Sequence, residues 1–155
     1  MKTIFLLVLI LTSSFSYAQT TLSDFTTDAC TMFPTGTHED GFLWGECCLI
    51  HDASYWMGGS KQDRKLSDRA LRDCVSNKGQ DIVAWIMYMG VSVGGSADFK
   101  TDWRWGYGWS QRENYKELNL MEKKHVLEIF KSTKNIPLKI KKMVIEQRLE
   151  GVSLD

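Results

Sequence analysis

The chain lacks the features that mark repeat proteins, linker-rich proteins and membrane spans. It has no internal repeat and no low-complexity linker, and its longest apolar runs, residues 4–11 and 82–89, are far shorter than the ~20 residues that a bilayer span needs. Its 19 basic residues balance its 19 acidic residues, so the overall charge gives no sign of a nucleic-acid partner. A chain of 155 residues with these absences is typical of one folded domain.

The apolar run near the start has the pattern of an export signal. Lys2 precedes it, and Ser16-Tyr17-Ala18 offers small residues at the two positions that a signal peptidase reads. We therefore expect a signal peptide over 1–18, cleaved after Ala18. The mature chain then begins at Gln19, with no cysteine there to carry a lipid and no transmembrane span. This pattern predicts a secreted or periplasmic protein.

The chain has only four cysteines, and export to an oxidising compartment favours two disulfides over other cysteine chemistry. A thiol nucleophile formed by Cys47 or Cys48 with His51 as its base is an alternative that export disfavours. A zinc site built from His38, Asp40 and His51 is a second alternative, but the spacing fits no compact zinc motif.

Charge is unevenly distributed along the chain. Residues 19–60 contain no Lys or Arg and six acidic residues, whereas residues 123–142 contain seven lysines and the single acid Glu128. An acidic front suits a cation, and a basic tail suits an anionic lipid surface. Lysines in such a run are more often an ordinary solvated helix face. The six acids are Asp24, Asp28, Glu39, Asp40, Glu46 and Asp52.

Hydrophobic periodicity predicts a mainly helical fold. Residues 19–41 have the composition of a loop, and Gly58-Gly59 ends the first helix. Asp63 is the expected cap of the second helix, which the short connection makes an antiparallel neighbour of the first. The predicted helices cover about 42–57, 64–77, 82–89, 119–133 and 138–149.

Two apolar segments follow the helix pair. The run at 82–89 is expected to form a helix buried beneath the pair. In residues 103–109, Trp and Tyr alternate with Arg and Gly, which is the period of a strand or of an extended loop with one aromatic face. This aromatic face could fill the core or form a rim that enters a membrane.

The antiparallel arrangement can be tested by register. If Cys47 is bridged to Cys74, the numbers of facing residues sum to 121, so His51 faces Ala70 and Asp68 lies about 3 Å further along the axis. Asp68 is then within reach of one ring nitrogen of His51, which leaves the other nitrogen available as a base. An isolated His-Asp pair on a helix is more often a surface pair or a satisfied core histidine.

Three segments together resemble the secreted phospholipases A2. Cys-Cys-x-x-His-Asp-x-x-Tyr at 47–55 resembles the active-site helix of that family, and residues 67–74, Ser-Asp-Arg-Ala-Leu-Arg-Asp-Cys, resemble its second long helix. Thr27-Asp28-Ala29-Cys30-Thr31 with Pro34 is similar to the calcium loop of the bacterial members. The resemblance covers residues 24–75. The loop between Cys30 and Cys48 is longer than expected, and the glycine-rich calcium loop of animal members is absent.

The resemblance implies a disulfide framework. It pairs Cys30 with Cys48, and it pairs Cys47 with Cys74, as the register also allows. In many animal members a further bridge joins the positions that are Ser54 and Ser67 here, so that bridge is missing as a unit.

The resemblance also implies a catalytic site. His51 would be the general base that activates water, and Asp68 would fix its tautomer, with Tyr55 bracing the pair. Asp52 would bind Ca²⁺ together with oxygens of Asp28 and Ala29, and the cation would polarise the ester carbonyl.

The sequence as a whole therefore predicts a mainly α domain over 19–155. It contains a phospholipase A2-like, disulfide-linked antiparallel helix pair and additional C-terminal helices, with the extension at about 80–155 unassigned in role. The expected function is calcium-dependent hydrolysis of a phospholipid acyl ester at a membrane or micelle surface. The alternatives are a catalytically silent lipid- or protein-binding module on the same scaffold, and a cationic membrane-binding protein that acts through its basic tail.

Overall fold

The protein is described from a computed structural model that covers residues 21–99, 101–110 and 114–152. The expected signal peptide over 1–18 and its cleavage site lie outside these ranges. Within them the fold is mainly helical, as the periodicity predicted, and it contains no strand; Leu22 and Trp109 form an isolated antiparallel bridge. The helices are α1 (Gly45–Met57), α2 (Lys61–Ser76), α3 (Asp81–Gly94), α4 (Leu120–Ser132) and α5 (Leu138–Arg148).

The α1–α2 pair is joined by a short glycine turn. Gly58 and Gly59 both have positive φ angles, 69° and 136°, which a side chain would disfavour. Helix α2 begins earlier than predicted, because Ser60 and not Asp63 is its cap. The Ser60 hydroxyl accepts from the Asp63 amide, while the Asp63 carboxylate accepts from the Ser60 amide. This capping box satisfies two amides at the start of the helix.

Two disulfides fix the helix pair and the loop before it. Cys47 in α1 is bonded to Cys74 in α2, and Cys30 in the loop is bonded to Cys48, with Cα atoms 5.8 and 5.2 Å apart. These are the two pairings that the resemblance implied. Each is worth about 3–4 kcal/mol in the chain-entropy account. All four cysteines are bonded, so no thiol is left for a nucleophile.

The C-terminal helices complete the main core behind α1. Trp56 is fully buried, and its ring lies 5.5 Å from that of Phe25 and 6.1 Å from that of Phe130 in α4. At the end of α5, Arg148 donates to the Gly58 carbonyl over 2.7 Å and lies 5.2 Å over the Trp105 ring. The region after residue 80 is thus an integral part of the packing around α1.

Helix α3 departs from the expectation of a buried helix. It extends to Gly94, beyond the predicted end at 89, and only Ala84 and Met87 of its side chains are buried. The expectation was wrong because α3 is apolar nearly all the way round, so one apolar face meets the helix pair while another faces outward. The exposed large side chains are Ile82, Trp85, Ile86, Met89 and Val93, and none of the helices in the described ranges is long and apolar enough to cross a membrane.

Residues 103–109 form a series of turns where a strand was one expectation. Trp105 and Trp109 fill the core, whereas Trp103 is 45% exposed. The amides of Gly106 and Gly108 donate to the carbonyls of Tyr55 and Trp56, near the end of α1. These bonds hold the segment against the helix that carries His51.

Candidate active site

His51 and Asp68 meet across the α1–α2 interface. The Nε2 atom of His51 lies 3.1 Å from Oδ1 of Asp68, and the two residues are only 7% and 2% exposed. Within the described part of the chain, Nδ1 of His51 has no hydrogen-bond partner. A histidine held through one nitrogen with the other available has the arrangement of a general base.

Tyr55 contacts both members of this pair. Its hydroxyl donates to Oδ1 of Asp68 over 2.7 Å, and its ring centroid lies 4.2 Å from that of His51. Tyr55 follows His51 by one helical turn, so the same face of α1 carries both rings. Burial and the negative charge of Asp68 hold the pKa of Tyr55 well above its usual range, so the hydroxyl keeps its proton and remains a donor.

Arg64 is a site residue that the sequence did not reveal. It lies one turn before Asp68 on α2, and its Nη2 atom is 3.5 Å from Oδ2 of that carboxylate. The spacing of four residues on one helix was the available signal, but most such pairs are exposed and weak. This pair is buried on both sides.

A cavity of about 760 Å³ lies beside the His51–Asp68 pair. His51, Asp52 and Tyr55 lie in its wall, and Asp28 and Ala29 line it from the loop, so the cavity brings together most of the residues that the sequence indicated. Asp68 is buried behind His51. Apolar side chains supply much of the remaining wall, among them Phe33, Leu71, Ile86, Met87 and Val91.

Asp52 lies in the wall of this cavity, where its surroundings disfavour the ionised form of its carboxyl. Burial raises the pKa of its carboxyl to about 7; the hydrogen bond from Thr27 opposes this rise and the negative charge of Asp28 adds to it. The Thr27 hydroxyl reaches Oδ2 of Asp52 over 2.5 Å. A cation bound between Asp52 and Asp28 would favour the ionised form of both carboxyls.

The loop before α1 is held in a fixed conformation. Ala29 and Met32 have positive φ angles of 67° and 60°. The Thr27 hydroxyl accepts from the Ala29 amide, and the Thr31 hydroxyl donates to Oδ1 of Asp28 over 2.7 Å. These bonds fix the local conformation of Asp28 and Ala29, both of which line the cavity.

Tyr107 closes the same corner from the turn segment. Its hydroxyl donates to the Thr26 carbonyl over 2.7 Å, and burial together with the charges of Asp52 and Asp28 keeps its pKa well above the usual range. Tyr107 and Trp103, which also lines the cavity, were noted in the sequence only as part of an aromatic alternation.

These donors fit calcium better than zinc. Asp52, Asp28 and the backbone oxygens near Ala29 are hard ligands of the kind that Ca²⁺ takes. No three side chains of His, Cys, Asp or Glu come together in the described ranges, so backbone carbonyls and water would have to complete the coordination. His38 and Asp40 are exposed on the loop, and among the described residues they form no such group with His51.

The fold and the site define a small, disulfide-bonded helical protein with a buried His–Asp pair beneath an apolar cavity. Comparison of the chain with family models, curated proteins and solved structures finds no match. The assignment of function therefore depends on the geometry and chemistry of the site itself.

Proposed function

We propose that this protein is a calcium-dependent hydrolase of phospholipid acyl esters, of the phospholipase A2 type. The observation that carries the proposal is the 3.1 Å contact between His51 and Asp68, buried beneath a cavity that is largely apolar and lined at one corner by Asp52 and Asp28. This combination offers a base, a place for a cation and room for acyl chains.

The chemistry assigned to the dyad is the activation of water. Nδ1 of His51 accepts a proton from a water molecule in the cavity while the water oxygen bonds to the acyl carbon of the ester. Asp68 holds the imidazole through Nε2 and stabilises the imidazolium that forms. The same proton then passes from His51 to the departing alcohol oxygen, which leaves a fatty acid and a lysophospholipid.

Calcium is assigned to Asp52, Asp28 and the backbone oxygens near Ala29. When bound, the cation would act as a Lewis acid toward the ester carbonyl and would neutralise two carboxylates that repel each other. The raised pKa of Asp52 supports this assignment, because it marks a carboxyl that lacks a counter-charge in the described protein.

An acyl chain is the substrate group that the cavity suits best. Its wall includes Leu71, Met87 and Val91, and each methylene moved there from water is worth about 0.8 kcal/mol. No Lys or Arg of the described ranges lines this cavity. A purely polar substrate would leave most of this wall unused.

A lipid surface is the proposed partner, with the apolar side chains around the cavity as the contact. Met32 is 89% exposed, and Ile86 and Trp103 are nearly half exposed, and all three line the cavity. The outward residues of α3 extend this apolar area away from the cavity. The lysines of 123–142 would add attraction to anionic lipid of about 1 kcal/mol each near the surface.

The second candidate is a silent lipid-binding protein on the same scaffold. The observation that favours it is that no three side chains of His, Cys, Asp or Glu come together in the part of the chain that the structure describes, which leaves only a small set of side-chain ligands for calcium. This protein would bind lipid through the same apolar area without turnover.

Fatty-acid release from vesicles of phosphatidylcholine and phosphatidylglycerol separates the two candidates. The hydrolase should release fatty acid with calcium, stop when a chelator is added, and resume when calcium is restored in excess. Vesicle binding without release, in either condition, would reject the hydrolase in favour of the silent module.

A further inference from the structure

Arg64 joins the His51–Asp68 pair to Tyr115 and to the end of α3. It is 7% exposed, and its three guanidinium nitrogens all donate hydrogen bonds within the protein. Nε reaches the Tyr55 hydroxyl at 3.2 Å and Nη1 reaches the Tyr115 hydroxyl at 2.8 Å. Nη2 reaches the carbonyls of Val91 and Ser92, at the end of α3, at 3.0 and 2.6 Å.

The bond from Arg64 determines what the Tyr55 hydroxyl can do. A guanidinium only donates, so the Tyr55 oxygen must accept from Nε, and its own hydrogen is then directed elsewhere. The nearest acceptor is Oδ1 of Asp68 at 2.7 Å. Arg64 thereby makes Tyr55 a donor to the same carboxylate oxygen that faces His51.

Arg64 also supplies the positive charge that the buried carboxylate needs. Among the described residues, the charged or titratable groups in contact with Asp68, which is 2% exposed, are His51, Tyr55 and Arg64. His51 must be neutral to serve as a base, and Tyr55 keeps its proton, which leaves Arg64 as the cation of the group. A buried carboxylate that loses its cation relieves the cost by taking up a proton.

We propose that Arg64 is a positioning residue for the dyad, which keeps Asp68 a hydrogen-bond acceptor and thereby holds the proton of neutral His51 on Nε2. Without this charge, Asp68 becomes a carboxylic acid that donates its hydrogen to Nε2. The ring proton of His51 then resides on Nδ1, the atom that must accept a proton from water. The proposal deepens the proposed function and rests on it only for its kinetic consequences.

The matched variants are Arg64→Gln and Arg64→Lys. Glutamine keeps a polar amide donor but carries no charge and is shorter than arginine, whereas lysine keeps the charge and loses the planar fork. Tyr115→Phe is the control, because it removes one partner of Arg64 and leaves the contacts with Tyr55 and Asp68 in place.

The first measurement is the tautomer of His51, read from long-range ¹H–¹⁵N correlation spectra of the calcium-free mature protein at pH 8, with His51→Gln used to assign the signal. We expect the Nε2–H form in the wild type, Arg64→Lys and Tyr115→Phe, and the Nδ1–H form in Arg64→Gln. An unchanged tautomer in a folded Arg64→Gln protein would overturn the proposal. Should that variant not fold, an Nδ1–H form in Arg64→Lys would overturn it equally.

The second measurement is turnover on phosphatidylcholine–phosphatidylglycerol vesicles with saturating calcium. We expect kcat to fall about ten- to hundredfold in Arg64→Gln and less in Arg64→Lys, with KM within about twofold of the wild type, because substrate binding does not involve Arg64. A merely structural role would instead raise KM and lower kcat together with the melting temperature, which would also count against the proposal.

The two measurements test the hydrolase function and the role of Arg64 independently. If the wild type hydrolyses no phospholipid but the tautomer responds as expected, the hydrolase function is wrong while the positioning role of Arg64 stands. If the wild type hydrolyses phospholipid and the tautomer does not respond, the function stands and Arg64 has no positioning role.

Discussion

Thr27 and Asp52 are joined by a 2.5 Å hydrogen bond that links the loop to the helix carrying His51. This bond is the main local influence that favours ionised Asp52, while burial and Asp28 act against it. The loop and α1 are also joined by the Cys30–Cys48 disulfide. Together these links place the Asp52 carboxylate beside His51, and no cation of the described residues is among the groups that set its pKa.

The raised pKa of Asp52 predicts a pH dependence of stability in the calcium-free protein. The folded state holds this proton up to about pH 7, whereas the unfolded chain releases it near its ordinary value of about 4. The folded protein therefore loses stability as the pH rises between these values and loses no more above about 7. The difference of about three between these two pKa values makes the full effect about 4 kcal/mol.

Asp52→Asn removes this cost, since an amide cannot ionise. In thermal melts without calcium, the variant should be more stable than the wild type at pH 8 by several degrees, and the difference should shrink at pH 5. Adding calcium at pH 8 should stabilise the wild type alone. A variant that is less stable than the wild type at pH 8 would show that the Asp52 carboxylate is balanced in some other way.

Asp52→Asn should also abolish calcium binding while leaving the fold intact. The variant loses the buried carboxylate that no other acid on α1 replaces at this position, and carbonyl oxygens with Asp28 alone are a weak set of ligands. Isothermal calorimetry at pH 8 is the measurement, with Asp40→Asn as the control on an exposed loop acid. Unchanged calcium affinity in Asp52→Asn would show that Asp52 is not a calcium ligand.

The dyad predicts a graded loss of activity. His51→Gln should abolish fatty-acid release and keep calcium and vesicle binding, because the glutamine removes only proton transfer. Asp68→Asn should cost less, since it disturbs the orientation of the base without removing it; base catalysis is typically worth ~10²–10⁴ in rate. Release at the wild-type rate by His51→Gln would exclude His51 as the base.

The outward face of α3 predicts how the protein meets lipid. Trp85→Ser should weaken sedimentation with phosphatidylcholine vesicles about tenfold or more, because a side chain that is 60% exposed in solution would lose its contact with the lipid. Leu66→Ser is the control, since Leu66 is 52% exposed on α2 and lies outside both α3 and the basic segment at 123–142. Equal binding by both variants would show that the outward face of α3 does not contribute to lipid binding.

The basic segment at 123–142 should contribute a separate, salt-sensitive part of binding. Adding phosphatidylglycerol to the vesicles should strengthen sedimentation, and raising the salt should reverse that gain, because exposed charges are screened beyond about 8–10 Å. If neither variable changes binding, these lysines are a solvated face.

Much of the fold was predictable because several signals agreed in each segment. The C-terminal helices were predicted close to their observed bounds from their periodicity and from the break before Pro137. The proximity of His51 and Asp68 followed from the register that a Cys47–Cys74 bridge imposes on two antiparallel helices. The Ser60 cap was also readable, as Ser-x-x-Asp before a helix is a capping signature.

The features that were not predicted depend on tertiary contacts, which cannot be inferred from local sequence patterns. A helix as uniformly apolar as α3 has no polar face to indicate which side is buried. The alternation near Trp105 imitates a strand, while the positive φ of Gly106 bends it into turns. The role of Arg64 arises from four segments that meet at one side chain, and only one of its contacts lies within its own helix.

The burial of Trp56 shows that residues 24–75 depend on the rest of the chain. Residues 24–75 carry the disulfides, the loop and the dyad, and so contain the whole of the proposed chemistry. Yet this indole rests on Phe130, and the carbonyls at the end of α1 are taken up by Gly106 and Gly108. Grafted alone into another scaffold, the chemical unit would expose an indole ring and leave backbone acceptors unsatisfied. We therefore expect residues 24–75 not to fold on their own. A shortened version of the protein would have to retain the segments that contain Gly106, Gly108 and Phe130.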